Sequence, residues 1–338
     1  MLPGSHQRGL TLIELMISLT LGMIIMIAVI SAYLAASGAG RTAEAIGRMN
    51  EDGQTALTIL SQQLRMAGVN PSQSDRSTQT VAGSPNLRGN SVPLHNTVTN
   101  AFAIRACDTT FSNITSSAVS TAGLTCVHAA GSTGPDSISI AYEADRYNTI
   151  PTSAGIPTDC MGSGLTALSP VPNYLKSDGV TTVSPNIYEA ENRYYIGTST
   201  YVTNPTLYCK GKATANAQPL VENIENLQFT FGMINPITTT FAYLSATPTY
   251  TATMVLGYLS AFNVENFGDP SPLGAAGATP LRWNAAKTVR ICVVARSEGL
   301  VADSIASAQY LDCNGTLVTP ADRRLRRAYT TSVIMRNQ

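Results

Sequence analysis

The sequence predicts an α+β protein in which one long amino-terminal helix, apolar first and amphipathic second, packs against an antiparallel β-sheet with disulfide-bearing loops. Three observations predict this class. An uncharged apolar stretch near the amino terminus continues into a helical pattern, short strand patterns fill the carboxy-terminal half, and six cysteines are scattered along the 338-residue chain.

Composition favours an exported, β-rich body over a cytosolic enzyme. Charged residues make up 12% of the chain, which is half of the roughly 25% that is usual in soluble domains. The 21 acidic and 21 basic residues cancel, so no net field attracts nucleic acid or an anionic membrane surface. The sequence shows no specific nucleic-acid site.

The cysteines indicate disulfide bonds rather than a metal site. None of them has the paired C-x-x-C spacing of a zinc site, and the chain has only three histidines. An even number of scattered cysteines is typical of proteins from an oxidising compartment. Many pairings are open to such a set, and we favour sequence neighbours: Cys107 with Cys126, Cys160 with Cys209, and Cys292 with Cys313.

The apolar stretch near the amino terminus is long enough to cross a membrane. Residues 15–40 contain no formal charge over 26 positions, whereas a transmembrane helix needs about 20. Arg8 precedes the stretch, and Arg41 is the next basic residue. The distribution of basic residues weakly favours a cytoplasmic leader and a translocated body.

Glu14 lies inside the start of this apolar stretch, and its position separates three interpretations. An ordinary signal peptide has an apolar region of about 7–15 residues, so this one is too long, although residues 35–39 imitate a cleavage site. A plain anchor leaves unexplained an acid that costs roughly 2–3 kcal/mol in a membrane helix. A cut between Gly9 and Leu10 would instead create an α-amine one turn from Glu14, and neighbouring subunits could pair the two charges.

Residues 9–16, Gly-Leu-Thr-Leu-Ile-Glu-Leu-Met, resemble the cleavage motif of type IV prepilins, in which a basic leader ends in Gly and Glu stands fifth in the mature chain. The resemblance implies that a prepilin peptidase of the inner membrane cuts after Gly9 and N-methylates Leu10, and that Glu14 acts in assembly. Two features depart from the family. Leu10 replaces the usual Phe, and the apolar helix lacks a central proline, so Gly22 is its only weak point.

Beyond Arg41 the helical pattern becomes amphipathic and predicts one buried face. The helix should stop near Gly68, with Pro71 preventing continuation. Apolar or small residues recur every three or four positions: Ile46, Met49, Gly53, Leu57, Leu60, Leu64 and Ala67. The predicted divisions are a leader (1–9), a transmembrane and assembly half of the helix (10–40), its amphipathic half (41–67) and a globular β-rich body (68–338).

Strand patterns follow a loop-rich region at residues 70–135. Period-two or short apolar runs predict strands at 136–142, 193–197, 206–210, 221–231, 289–296 and 330–335. The side chains expected to share core-facing sides of these strands are Ile138, Ile140, Tyr142, Leu227, Phe229, Phe231, Val289, Ile291, Val293 and Ala295.

A series of short blocks in the carboxy-terminal half carries a second resemblance. The blocks are 207–209 (Leu-Tyr-Cys), 220–232, Trp283, 289–296, Arg327 and 332–337. Their order is similar to that of the PilW group of minor pilins and, more distantly, to the J-type minor pseudopilins of type II secretion. The resemblance implies a type IV pilin fold.

The sequence contains no recognisable catalytic constellation. It lacks nucleophile-elbow, zinc-protease, phosphate-loop and dinucleotide motifs, so we expect no enzyme activity, no cofactor and no metal. His95 and His128 are expected in surface loops. The basic run 322–327 is expected to be solvated charge at a strand rim, with a partner or DNA-uptake patch as the alternative.

These resemblances imply a minor pilin. Because the chain is long for a pilin and extra mass is easier to accommodate at the end of a thin fibre, we expect it at or near the pilus tip, where it primes biogenesis and supports adhesion, twitching motility or DNA uptake. Its expected partners are other minor pilins, the major pilin, the prepilin peptidase, an inner-membrane assembly platform and a tip adhesin. The body would lie in the periplasm before assembly and in the surface pilus afterwards. Two alternatives stay open: a minor pseudopilin of type II secretion, and a bitopic periplasmic receptor or enzyme with an amino-terminal anchor.

Overall fold

The computed structural model describes most of the predicted helix and a large part of the body. The described residues are 11–69, 102–117, 119–127, 134–167, 174–175, 180, 182–183, 186–199, 202–213, 216–234, 255–266, 282–283 and 285–335. The predicted cleavage position at Gly9 and Leu10 lies outside the described residues, as do His95 and His128.

Helix α1 (Leu12–Met66) runs unbroken for 55 residues, which confirms the predicted long helix. Thr11 is its N-cap, and the backbone N–H of Glu14 donates to the Thr11 hydroxyl oxygen at 3.3 Å. The helix ends at the predicted position, where Gly68 takes a φ of 71° that glycine adopts without strain. The Gly68 N–H donates to the carbonyl of Ala141 at 2.9 Å, so the chain joins a strand as soon as it leaves the helix.

The described part of the body consists of short strands, with helix α2 (Ala261–Asn266) following β9. The strands are β1 (Ile104–Cys107), β2 (Ser137–Ala144), β3 (Tyr174–Leu175), β4 (Thr182–Val183), β5 (Tyr188–Gly197), β6 (Thr206–Gly211), β7 (Gln218–Glu222), β8 (Ile224–Ile234), β9 (Val255–Leu259), β10 (Ala286–Arg296), β11 (Tyr310–Leu311), β12 (Leu317–Val318) and β13 (Arg326–Ile334). Every strand region predicted from the sequence overlaps one or two of these strands. The sequence did not predict β1, β3, β4, β9, β11 or β12.

The strands form two main antiparallel sheets, whereas the sequence suggested one. The five-stranded sheet has the order β1-β2-β5-β6-β7, and the four-stranded sheet has the order β13-β10-β8-β9. The predicted strand 221–231 is divided at Asn223, whose φ of 60° is left-handed. β7 therefore ends in one sheet and β8 begins in the other, so that a single apolar run contributes to both sheets.

The second half of α1 packs across β10 and β13 of the four-stranded sheet. Its buried face consists of Met49, Gly53, Ala56, Leu57, Leu60 and Leu64. This confirms the predicted amphipathic face with one exception. Ile46 is 37% exposed, because the body buries the helix only from Met49 onward, so the prediction for Ile46 was wrong.

One hydrophobic core lies between α1 and the inner faces of both sheets. Ile138, Ile140 and Tyr142 of β2 contribute to it from the five-stranded sheet, on the face that the sequence predicted. Phe231 of β8 contributes from the four-stranded sheet and packs edge-on against the buried Trp283, with ring centroids 4.9 Å apart. The two sheets and the helix thus share one core.

Three disulfides bind loops to strands: Cys107–Cys126, Cys160–Cys209 and Cys292–Cys313. These are the neighbour pairs favoured by the sequence, and none of the six cysteines is free. The first closes the loop after β1, the second joins the loop after β2 to β6, and the third joins β10 to the turn between β11 and β12. In the chain-entropy description, each such closure stabilises the fold by roughly 3–4 kcal/mol.

Asp136 links the two sheets immediately before β2. Its backbone N–H donates to the carbonyl of Leu227 at 2.7 Å, and its carboxylate Oδ2 accepts the N–H of Phe229 at 2.7 Å. Burial raises the pKa of this carboxyl to about 8, against the opposing effect of the Phe229 hydrogen bond and with a further contribution from the charge of Asp108. Burial therefore favours the neutral carboxyl, whereas the hydrogen bond that links the sheets favours the charged form.

We predict that Gly53→Ala destabilises the fold. A Cβ at Gly53 would lie 2.5 Å from Cδ2 of Tyr329, and such overpacking typically costs about 1–3 kcal/mol. Gly47→Ala is the matched control, because Gly47 is helical with open space around its Cβ position and should gain up to about 1 kcal/mol in helix propensity. Denaturant unfolding of the full chain in detergent measures both changes. Equal stability changes for the two variants would contradict the close packing of Tyr329 on the helix.

We also predict that the free energy of unfolding falls as the pH rises, and that Asp136→Asn reduces this fall. The pKa of Asp136 is about 8 in the folded chain against its usual value of 3.8. The stabilisation is therefore complete below pH 3.8 and is lost as the pH rises through about 8. Glu189 contributes in the same direction, so the difference between wild type and variant isolates Asp136. Parallel pH profiles of the two proteins would show that this carboxyl does not titrate as inferred.

Candidate functional site

The apolar half of α1 projects from the body without packing against any other described residue. The large apolar side chains from Leu12 to Leu34 are between 51% and 78% exposed. By length and composition, α1 qualifies as a helix that could cross a membrane, and its most apolar window is entirely unburied. A continuous apolar surface of this size indicates contact with lipid or with other helices.

The hydroxyl side chains within this half satisfy their hydrogen bonds inside the helix. Ser18 donates to the carbonyl of Glu14 at 2.7 Å. Thr20, Ser31 and Ser37 donate in the same way to carbonyls three residues earlier, at 2.9 to 3.0 Å. Because no water is present in a membrane or in a bundle of apolar helices, such internal bonds remove the main cost of burying these groups.

Glu14 lies in the first turn of α1, and its exposed carboxylate forms no ion pair with any described residue. Its backbone N–H is satisfied by the Thr11 hydroxyl, and a negative charge near a helix amino terminus is favourable. Thr11 was missed in the sequence, although Thr-x-x-Glu is the spacing of a capping box and could have indicated it. The position of the Leu10 amine relative to Glu14 lies outside the described residues.

The junction between the exposed half of α1 and the body carries charged side chains. Arg48 contacts Glu44 at 2.8 Å on the same helix and Glu298 at 3.6 Å on the loop after β10. The side chains are 63% to 68% exposed, so each pair contributes little stability. These charges lie between the apolar segment and the buried segment of α1. Because charged side chains are costly within a bilayer, they mark the end of the segment that could span a membrane.

A second polar cluster lies on the outer face of the five-stranded sheet, beneath the disulfide-closed loop 108–125. Arg193 is fully buried and donates to backbone carbonyls of the loop, including that of Ser116 at 2.6 Å. Arg105 donates to the carbonyl of Leu124 at 2.5 Å. Arginine suits this position because its several donors satisfy several loop carbonyls at once.

Two glutamates complete the cluster beneath the loop. Glu191 accepts the backbone N–H of Thr121 at 2.7 Å and lies 2.5 Å from the ammonium of Lys212. Burial and the charge of Glu191 raise the pKa of Glu189 to about 7, while Lys212 opposes this shift. Perturbed carboxyls occur in active sites and in structural networks alike. Because these contacts join the sheet to the loop, we interpret the cluster as structural.

The basic run 322–327 is only partly solvated. Arg326 lies 2.5 Å from Glu225 and 2.7 Å from Asp322, and its side chain is 6% exposed. This corrects the expectation of a solvated run, because β13 places Arg326 against an acid about a hundred residues earlier. Arg327 is exposed, as expected.

Comparison with known families found two matches, one at each end of the chain. Residues 4–30 match the prokaryotic N-terminal methylation motif, which covers the predicted cleavage position and the start of α1. Residues 193–337 match the type IV pilus-assembly protein W family, and this region begins within β5 and includes all of β13. Comparisons with curated proteins and with solved structures gave no match.

The fold and these matches agree in their separate parts of the chain. The apolar half of α1 lies in the first matched region, and both sheets contribute strands to the second. Pilin-related families of this kind are structural rather than enzymatic. The two matches together support a type IV prepilin-like protein of the PilW minor-pilin type, which confirms the family that the sequence blocks indicated.

Proposed function

We propose that this chain is a minor pilin that enters a type IV pilus through the apolar half of α1, after cleavage between Gly9 and Leu10 and N-methylation of Leu10. The observation that carries the proposal is the division of one unbroken helix into a half that the body buries and a half that it leaves exposed. An exported structural subunit requires both halves. We propose no catalytic activity.

The exposed half acts first as a membrane anchor. Residues 12–40 extend about 44 Å at about 1.5 Å per residue, which exceeds the roughly 30 Å hydrocarbon core of a bilayer. Before assembly, the chain crosses the inner membrane once, with its leader in the cytoplasm and its body in the periplasm. During assembly, apolar helices of other subunits replace the lipid.

Glu14 sets the register in which the apolar helices of neighbouring subunits pack when they replace the lipid. In lipid, its charge costs roughly 2–3 kcal/mol, and Thr11 satisfies only the backbone N–H of Glu14. Cleavage creates an amine at Leu10 on each subunit, and pairing of this amine with Glu14 of a neighbour removes the unpaired charge. The partner amine exists only in processed chains, so unprocessed chains are excluded from the fibre.

The size of the body favours a position at or near the pilus tip. The 338-residue chain less a nine-residue leader leaves 329 residues, and the body contains two main sheets and a loop layer outside the core. Extra mass is difficult to repeat at every position of a thin fibre. At the tip, the protein would prime biogenesis together with other minor pilins, the major pilin and the assembly platform, and would support a tip adhesin, twitching motility or DNA uptake.

A minor pseudopilin of type II secretion is the nearest alternative, and the match to the pilus-assembly W family favours the pilus. A bitopic receptor or enzyme is the alternative from another class. It would retain its leader, whereas a pilin would begin at residue 10.

We predict that the protein recovered from purified pili begins at N-methylated Leu10 and is scarce relative to the major pilin. Gly9→Val should retain the leader, because the peptidase motif requires Gly before the cut. Mass spectrometry of sheared pili and of membranes measures the first residue, the methylation and the amount. A native chain that starts at Met1 would contradict the proposal and favour the anchor.

We predict that Glu14→Val inserts into the membrane but is depleted from pili. Removing the carboxylate lowers the cost of the lone helix in lipid and leaves the neighbouring amine unpaired, and a loss of about 1.4 kcal/mol corresponds to roughly tenfold less incorporation. Asp303→Asn is the control, because Asp303 is an exposed acid on the body, away from the helix. Immunoblots of sheared pili and membranes provide the comparison. Equal incorporation of Glu14→Val and wild type would rule out the pairing.

A further inference from the structure

A cleft lies where α1 leaves the body, and its walls come from three parts of the chain. Helix residues 41–52 form one wall, the junction of β7 and β8 at Glu222 and Asn223 forms the second, and residues 296–299 form the third. Its volume is about 460 Å³. The cleft begins directly beyond the apolar segment of the helix.

Five acids and three arginines line this cleft: Glu44, Glu51, Asp52, Glu222 and Glu298, against Arg41, Arg48 and Arg296. Arg48 contacts Glu44 and Glu298, and the guanidinium of Arg296 donates to Asn204 at 3.1 Å. Glu51, Asp52 and Glu222 also line the cleft and form no ion pair with any described residue. The cleft therefore carries an excess of negative charge.

Asn223 adds an unpartnered acceptor at the cleft. It is 8% exposed, and its Oδ1 has no hydrogen-bond partner among the described residues. Its backbone is held in the left-handed conformation, and its carbonyl accepts the N–H of Arg296 at 2.9 Å. Its side-chain amide donates to Asp52, which leaves Oδ1 as an acceptor that lacks a donor.

The pKa of Asp52 is raised by its surroundings in the cleft, which include several other acids. Burial raises the pKa of its carboxyl, and the charges of Glu51, Glu222 and Glu298 raise it further, against the opposing hydrogen bond from Asn223. A positive charge in the cleft would relieve this repulsion. A donor on the same group would satisfy the Asn223 oxygen.

A side-chain cation fits these groups better than a metal ion. A metal requires several ligands converging on one point, and no group of three or more His, Cys, Asp or Glu among the described residues has that arrangement. An ammonium or guanidinium carries several donors spread over a larger volume and can contact separated acceptors.

We propose that the cleft binds a lysine or arginine side chain of a neighbouring pilus subunit. The inference rests on the proposed function, since the partner is the next subunit in the fibre. The helix residues that line the cleft directly follow the segment that packs among other helices. A neighbour held by that segment would therefore bring its own body close to this junction. Charge complementarity at such a site selects partner and register.

The test compares neutralised variants in the full chain. Glu51→Gln with Glu222→Gln removes two exposed acids of the cleft and should lower the amount of protein in sheared pili roughly tenfold relative to membranes. Glu51→Gln alone should have a smaller effect. Asp303→Asn is the matched control for the single variant, because Asp303 is an exposed acid on another part of the body. Unchanged thermal unfolding of each variant shows that the fold is intact.

A photo-reactive amino acid at position 51 identifies the occupant, with the same probe at position 303 as control. The expected result is a cross-link from position 51 to a different subunit in assembled pili. Cross-links only within the same chain would overturn the proposal, because the cation would then come from this protein itself. Loss of incorporation on chelation of divalent cations in wild type but not in the double variant would also overturn it and assign a metal.

The outcomes separate this inference from the proposed function. If wild type and Asp303→Asn enter pili and the double variant enters equally well, the cleft proposal fails while the minor-pilin proposal stands. If wild type itself is absent from pili, the minor-pilin proposal fails.

Discussion

The contact between α1 and the four-stranded sheet is the interaction on which the rest of the structure depends. Gly53 lets the ring of Tyr329 approach the helix backbone, and the Tyr329 hydroxyl donates to Asn50 at 2.5 Å. Leu60 and Leu64 are fully buried beside this contact, and each such side chain contributes about 1.5–3 kcal/mol. This packing fixes the direction in which the apolar half leaves the body. If the helix carries its subunit into a fibre, as we propose, it needs such a rigid attachment.

Asn223 determines the arrangement of the body around that helix. Its left-handed backbone divides one apolar run between two sheets, and both sheets then contribute to one core. Asp136 links the sheets a second time through hydrogen bonds to β8. The same turn places Asn223 at the cleft near the helix exit, so the division of the sheets and the proposed contact with a neighbour have one local cause.

On the outer face of the five-stranded sheet, buried charged side chains hold a loop in place through hydrogen bonds to its backbone. Arg193 and Glu191 lie beneath this loop. The loop has only a small apolar cluster of its own, which includes Phe111, Ile114 and Leu124. Burying charges is unfavourable unless they are paired and hydrogen-bonded, and here the loop backbone supplies those bonds. The Cys107–Cys126 disulfide shortens the loop, which lowers the entropy lost when the loop is held in place.

The sequence by itself determined the features that depend on local periodicity and charge. It predicted the long helix with its two halves, the unusual acid at Glu14, the main strands and their core-facing residues. Periodicity reports which side chains are buried but not what buries them, so only the tertiary structure decided that Ile46 lies beyond the body and that Asn223 separates two sheets. It also decided that Arg193 holds a loop and that Arg326 pairs with Glu225, because such partners lie 77 to 101 residues apart and meet only when the strands are packed.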